Sequence, residues 1–309
     1  MKVFYNVSAQ KVSWVKSNKN ALELNSDAIS NLYYPESIEE LVDVINSITQ
    51  AGEEFDLIGH SSNTLFLPSY HVKHLICIRE LTSWYETDSE IVCDCGVNVA
   101  LLSKEMISMG YEGFEGLNDL PGTIAGAVYG NSGCRNCSVN DLVTDIELLT
   151  KDGICHIGRD ELKLSFRSSS LKRKELNGVI ISVRLEKRKG DAQSLREIAD
   201  KNHEFRKNNQ PNGANNLGST FDGGKCPTIK GKLLGLFEKC IRLLTLNRNP
   251  RLSYLLMLRC IGKACFVPYV YKWNRYMFLD EYSHELFPQY VQFVCSLYKD
   301  ARLEIEIRK

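Results

Sequence analysis

Two stretches of small residues in this 309-residue chain could hold a phosphate and a flat polar ring. The first, Gly59-His60-Ser61-Ser62-Asn63-Thr64, directly follows the apolar run Phe55–Ile58. A strand that ends in glycine and hydroxyl residues presents successive backbone N–H groups to an anion. An ordinary strand-to-loop turn has the same composition, and both readings stand at this point. The second stretch is Gly113 to Gly133, GFEGLNDLPGTIAGAVYGNSG. Glycine at that density costs backbone entropy, and it is kept where main chain passes close to something or takes positive φ. Pro121-Gly122 sets a tight turn. After it, Thr123, Ala125, Gly126 and Ala127 leave a surface of main-chain N–H and C=O groups with little side chain in the way. Such a surface suits an isoalloxazine-like ring; a glycine-rich loop with no ligand is the other reading. Neither a P-loop nor a G-x-G-x-x-G fingerprint is present.

The elements that must position these stretches follow from periodicity. Leu32–Pro35 reads as a strand, and Ser37 with Glu40 as a capping box that opens a helix running to Gln50. Ile38, Leu41, Val42, Ile45 and Ile48 keep helical period, and Gly52 stops it. Short strands follow at 74–78, 84–87 and 90–94, and a helix at 99–109 ends on Gly110. Strands at 143–149, 154–157 and 178–185 come next, with a hairpin turn at Lys151-Asp152-Gly153. The N-terminal 29 residues are polar, with one short strand expected near Val12–Val15. The pattern is an α+β nucleotide site in two lobes, not a doubly wound sheet.

Length allows two or three domains. Thirty-eight basic and 38 acidic residues leave no net charge, so nothing points to nucleic acid,. The N-terminus lacks signal-peptide character, and no apolar run reaches the roughly 18–20 residues of a membrane span, so a cytoplasmic protein is expected. The eleven cysteines are scattered; Cys93-x-Cys95 and Cys134-x-x-Cys137 lack a histidine at ligand spacing, so no metal is expected and reduced thiols are the default,.

Six motifs occur in one order: Pro35-x-Ser-x-Glu-Glu-Leu, Gly59-x-Ser-Ser-Asn, Leu120-Pro-Gly-Thr-Ile-x-Gly-Ala, Asn131-x-Gly133, Phe166-Arg167-x-Ser169 and Gly218-Ser-x-Phe221. Together they resemble the UDP-N-acetylenolpyruvoylglucosamine reductases, flavoenzymes of peptidoglycan precursor synthesis. Their FAD domain is of the PCMH type shared with vanillyl-alcohol-oxidase-like flavoproteins. The resemblance covers roughly residues 30–221 and returns thinly at 276–308. It implies FAD-binding subdomains at 1–79 and 80–190 and a smaller α/β substrate domain at 191–309. It also implies non-covalent FAD, reduced by NADPH, that passes hydride to an enolpyruvyl double bond of a nucleotide sugar. Gly59, His60, Ser61, Ser62 and Asn63 would then hold the FAD diphosphate. Pro121, Gly122, Thr123, Ala125, Gly126 and Ile180 would line the flavin and ribityl. Arg167 matches the family's substrate-activating arginine, Ser219 its serine proton donor and Glu306 its C-terminal glutamate.

The departures fall on the substrate side. The family's N-terminal Thr-x-x-x-Gly-Gly is absent, and Asp222-Gly223-Gly224 stands where Lys-Asn-Pro usually follows. Arg275-Tyr-Met-Phe278 reads as a remnant of the family's next signature, followed by a helix over 286–298. An oxidase or dehydrogenase of another sugar or alcohol, or a non-catalytic flavoprotein, is therefore the alternative function. The replaced segment, 225–275, carries eleven basic residues and one acid, Glu238, so the rest of the neutral chain is ten charges negative. Leu233, Leu234, Leu236, Phe237, Ile241, Leu243 and Leu244 alternate there with basic residues as in an amphipathic helix. Three readings compete: a core helix with a solvated basic face, a positive cleft for an anionic substrate, and peripheral docking on an anionic membrane.

Overall fold

In the computed structural model, which describes residues 2–5, 29–67, 70–134, 137–210, 217–245 and 250–308, helix Ile38–Gln50 begins at the expected cap. Ser37 Oγ accepts the Glu40 N–H at 3.2 Å. The Glu40 carboxylate reaches one residue further back than a capping box does, to the Glu36 N–H at 2.9 Å,. Leu41, Val44, Ile45 and Ile48 share one helix face and pack into the same core as Ile76 and Ile78,. Gly52, at φ +69°, ends the helix,. The strand expected near Val12–Val15 lies outside the described residues.

By contact, the described residues group into two compact units: those within Met1–Lys11, Asn25–His60 and His71–Asn209, and those within Ser61–Tyr70 and Gln210–Lys309. The first unit holds two sheets. Lys2–Tyr5, Ile29–Tyr34, Val72–Cys77 and Phe55–Ile58 lie in that order, antiparallel in the first pair and parallel in the other two. The second sheet is antiparallel throughout, in the order Gly153–Gly158, Val143–Thr150, Val179–Glu186, Glu90–Asp94 and Trp84–Glu86. Its hairpin turns on Lys151-Asp152, with Thr150 opposite Gly153,. Cys93 and Cys95 sit in this unit's core. Burial pushes the Cys93 thiol up to about 12 and the Cys95 thiol higher still, so both are held as thiols in the core,. Among the described residues no His, Cys, Asp and Glu cluster could hold a metal ion.

The second unit is organised by aromatic packing. Phe221, Phe266, Tyr276, Phe287 and Tyr290 are buried together, with the Tyr276 ring 5.1 Å from Phe287 and 5.2 Å from Tyr290,. The buried Tyr290 hydroxyl donates to the Trp273 carbonyl at 2.6 Å. Gly223 and Gly224 are both at positive φ. A Cβ on Gly223 would lie 2.1 Å from the Asp300 carbonyl oxygen, and one on Gly224 2.3 Å from the Trp273 ring. The Gly-Gly pair that departs from the family pattern is thus demanded by close packing. The C-terminal helix starts earlier than 286: it spans Glu281–Leu297, with the Asp280 side chain accepting the Ser283 N–H at 2.7 Å. Pro288 inside it obscured the first two turns in the sequence.

The basic segment turns the other way from a core helix with a solvated basic face. In helix Ile229–Leu244 only Ile241 is buried, while Leu233 and Leu236 are 62% and 60% exposed. Gly231 is the close contact on the inner side, where an added Cβ would lie 2.1 Å from the Leu297 carbonyl oxygen.

Candidate functional site

Within the first unit the strand end at Gly59 and the glycine-rich stretch come together. A Cβ on Gly59 would lie 2.6 Å from Thr123 Oγ1 and 2.8 Å from its Cγ2. Thr123 cannot swing aside cheaply, because Oγ1 accepts the Gly126 N–H and caps helix Ile124–Tyr129,. That helix corrects the expectation of a bare loop. The Ile124 and Ala125 N–H groups donate to the Val97 and Cys95 carbonyls at 2.8 and 3.1 Å. Main-chain donors at 124, 125 and 126 are therefore used inside the protein. What the stretch offers a ligand is its small, open positions: Pro121 and Gly126 are exposed and Gly122 half-buried at φ +132°, while Thr123 and Ala125 are buried beneath them.

Residues 94–98 join the two stretches, and the sequence reading passed over them. A Cβ on Gly96 would lie 1.9 Å from the Ile78 carbonyl oxygen, so only glycine fits. The Cys95 N–H donates to the Ile181 carbonyl at 3.0 Å, which brings the strand bearing Ile180 alongside. Asn98 bridges to Thr123, caps helix Val99–Ser108 by accepting the Leu101 N–H, and places Nδ2 3.4 Å from His60 Nδ1. With Nδ1 accepting there, the His60 proton sits on Nε2. Burial first, and then the Arg79 charge, hold the His60 pKa below its ordinary value, so the ring stays neutral near pH 7,. The signals were present: an isolated glycine after a strand, and an asparagine just before an apolar helical run.

Arg167 belongs to a second cluster in the same unit. Ser165 and Ser168 exchange backbone hydrogen bonds around a Phe166-Arg167 turn, with Arg167 itself at φ +54°. Asn131 Nδ2 donates to the Ser165 carbonyl at 2.7 Å, and Ser169 Oγ to the Tyr129 carbonyl at 2.7 Å. The guanidinium donates to the Gly133 carbonyl at 2.9 Å and the Asn131 carbonyl at 3.5 Å. The Asn131-x-Gly133 and Phe166-Arg167-x-Ser169 motifs are thus two halves of one mount. Backbone carbonyls hold the guanidinium in place.

The remaining site residues lie in the second unit. Ser61 is buried at φ +48°, and its carbonyl accepts the Thr64 N–H. Asn63 Nδ2 donates to the Glu304 carbonyl at 3.1 Å, and the Asn63 carbonyl accepts the Glu306 N–H at 2.9 Å. Strand Glu306–Arg308 then runs parallel to Thr64–Phe66, with Glu306 opposite Thr64. The Glu304 N–H donates to the Thr220 carbonyl, which ties the segment bearing Ser219 to the chain just before that strand. Arg275 Nη1 donates to Ser219 Oγ at 2.6 Å. Ser61, Ser62, Asn63, Ser219 and Glu306 therefore share one framework, and Arg275 joins it as a residue the sequence showed only as a remnant. Of the three catalytic candidates, Arg167 falls in one unit and Ser219 with Glu306 in the other.

Within the first unit the cradle around Gly59, Gly122 and Gly126, with the neutral His60 imidazole beside it, fits FAD in kind: small open positions for a ring and a hydrogen-bonding ring nitrogen for a diphosphate. The comparisons agree. A family model for an FAD binding domain matches residues 29–158. The UDP-N-acetylenolpyruvoylglucosamine reductase of Caldicellulosiruptor saccharolyticus is 25% identical over 191 residues, 62% of each chain. That of Pediococcus pentosaceus is 27% identical over 206 residues, 66% of this chain and 67% of its own. The chain thus matches about two thirds of these relatives' length. The crystal structure of the Thermus caldophilus reductase of the same name superposes over the whole of both chains, with a TM-score of 0.69 at 19% identity, which establishes the α+β fold. Residues 29–158 thus match an FAD binding domain, and the chain is similar in sequence to the UDP-N-acetylenolpyruvoylglucosamine reductases.

Proposed function

We propose that this chain is an FAD-dependent oxidoreductase that reduces an enolpyruvyl nucleotide sugar, with NADPH as reductant. The observation that carries the reading is the close approach of Gly59 to Thr123, which brings together two stretches more than sixty positions apart. Gly59 and His60 hold one end of the cofactor there, with Ser61, Ser62 and Asn63 continuing along its diphosphate. Pro121, Gly122, Thr123, Ala125, Gly126 and Ile180 hold the ring and ribityl. Bound FAD supplies the two-electron chemistry.

Arg167 binds the substrate carboxylate and stabilises the negative charge that grows beside it as the double bond is reduced. The Asn131 and Gly133 carbonyls that accept from its guanidinium fix its position for that purpose,. Ser219 gives the proton to the carbon. Because Oγ accepts from Arg275, the serine hydrogen points away from the guanidinium, and the adjacent cation lowers the cost of the departing proton,. Glu306, its backbone fixed by Asn63, works with Arg167 in activating the substrate. A second reading keeps FAD and changes the substrate to another sugar or alcohol; it rests on the replaced segment after Asp222. One assay separates the two. NADPH bleaches the purified yellow protein, and UDP-N-acetylglucosamine enolpyruvate restores the colour rapidly. Colour that returns no faster with this substrate than with buffer assigns the chain to the second reading.

A further inference from the structure

Helix Ile229–Leu244 shows its apolar face to solvent. Ile229, Leu233, Leu236, Phe237, Leu243 and Leu244 recur at helical spacing and fall on one arc about 120° wide,. Every one of them is exposed, from 39% at Phe237 to 85% at Leu244. The opposite side is the one that packs: Ile241 is buried, Leu234 joins the core, and Gly231 sits against Leu297. The outward face is therefore a ridge of aliphatic tips. Lys232 and Lys239, one heptad apart, edge it on one flank, and Lys230 edges it on the other; all three are exposed.

The segment's sole acid, Glu238, lies off this face. It is bound to Arg242 Nη2 and accepts from Ser253 Oγ, each at 2.7 Å. The ridge thus combines apolar side chains with positive charge alone. A second copy of the chain would set lysines against lysines with no acid to pair them, and such juxtaposition costs affinity. Among the described residues no helix is long and apolar enough to cross a membrane. What remains is a helix lying flat at an interface, with leucines and a phenylalanine in the acyl boundary and lysines at the level of anionic headgroups.

We propose that helix Ile229–Leu244 docks this protein on anionic lipid surfaces, a property independent of the reaction proposed above. The test is co-sedimentation of the full chain, FAD-loaded, with vesicles of phosphatidylglycerol and phosphatidylcholine or of phosphatidylcholine alone. Binding is expected with the anionic vesicles and is expected to weaken as salt rises. Leu233→Glu with Leu236→Glu, at exposed positions, should abolish it while FAD content and far-UV dichroism stay unchanged. Lys232→Ala with Lys239→Ala should weaken it on the order of 10- to 30-fold, from the usual contribution of each lysine near such a surface. Failure to sediment with anionic vesicles at low salt overturns the proposal, as does equal binding by the double-glutamate variant. A dimer in solution that the leucine substitutions dissociate, without vesicle binding, also overturns it and assigns the face to a second copy.

Discussion

Ser219 accepts a hydrogen bond from Arg275, a residue 56 positions later in the chain. In the proposed mechanism the pairing makes Arg275 a positioning residue for Ser219, and it separates two variants. Ser219→Ala should slow re-oxidation by the enolpyruvyl sugar by about 10²–10⁴-fold, the range for losing a general acid, while NADPH oxidation stays intact. Arg275→Gln should lower kcat for the same half-reaction by about tenfold with KM little changed, and Arg275→Lys should recover part of the loss. A role in folding alone would instead reduce FAD content in both Arg275 variants. Arg167→Ala should cost about 10²–10³-fold in re-oxidation, the scale of one lost electrostatic donor, and leave flavin bound. Arg167 and Ser219 stand out as candidates in the sequence because their motifs fall in family order. Arg275 does not: it is one of eleven basic residues in its segment, and its partner lies in another part of the sequence.

Strands, hairpin and first helix followed from alternation, turn residues and caps, since these signals are local. The glycine-rich stretch was harder. Its middle is helix Ile124–Tyr129, whose residues are too small and uniform to show an amphipathic period, and the Thr123 cap was the one cue. Gly96 shows what spacing cannot convey, the approach of a carbonyl from another strand end. Gly96→Ala should destabilise the protein by about 3 kcal/mol or more, read by denaturant unfolding, because the Ile78 backbone has no room to move,. In the C-terminal helix, burial holds the His284 pKa at about 4. The unfolded chain takes up that proton first as pH falls below about 6.5, so this site's contribution to stability erodes from there and levels off near pH 4,. His284→Gln should flatten the fall in Tm across that window; an unchanged slope would place its cause elsewhere.

At the scale of the molecule, neutrality hides a division. The segment 225–275 carries ten net positive charges and the remainder ten negative, which the composition alone conceals. Periodicity located the apolar stripe of helix Ile229–Leu244, yet it could not say which side packs. That is fixed by Gly231 against Leu297 and by the aromatic core of the second unit. The FAD-binding framework was legible across roughly 30–221 because its constraints are on main chain: turns, close approaches and caps that few residue types satisfy. The replaced segment answers to packing partners within its own unit, and there the family pattern offered no guide.

The central claim is that Gly59 and Thr123 close one trough on one cofactor. FAD stoichiometry, measured from the visible spectrum of the purified chain and of Gly59→Val, tests it most directly. One FAD per wild-type chain is expected, and none in a Gly59→Val protein that is folded by far-UV dichroism. A folded wild-type chain that takes up no FAD when supplied with it, or a Gly59→Val chain that retains it fully, would contradict the account.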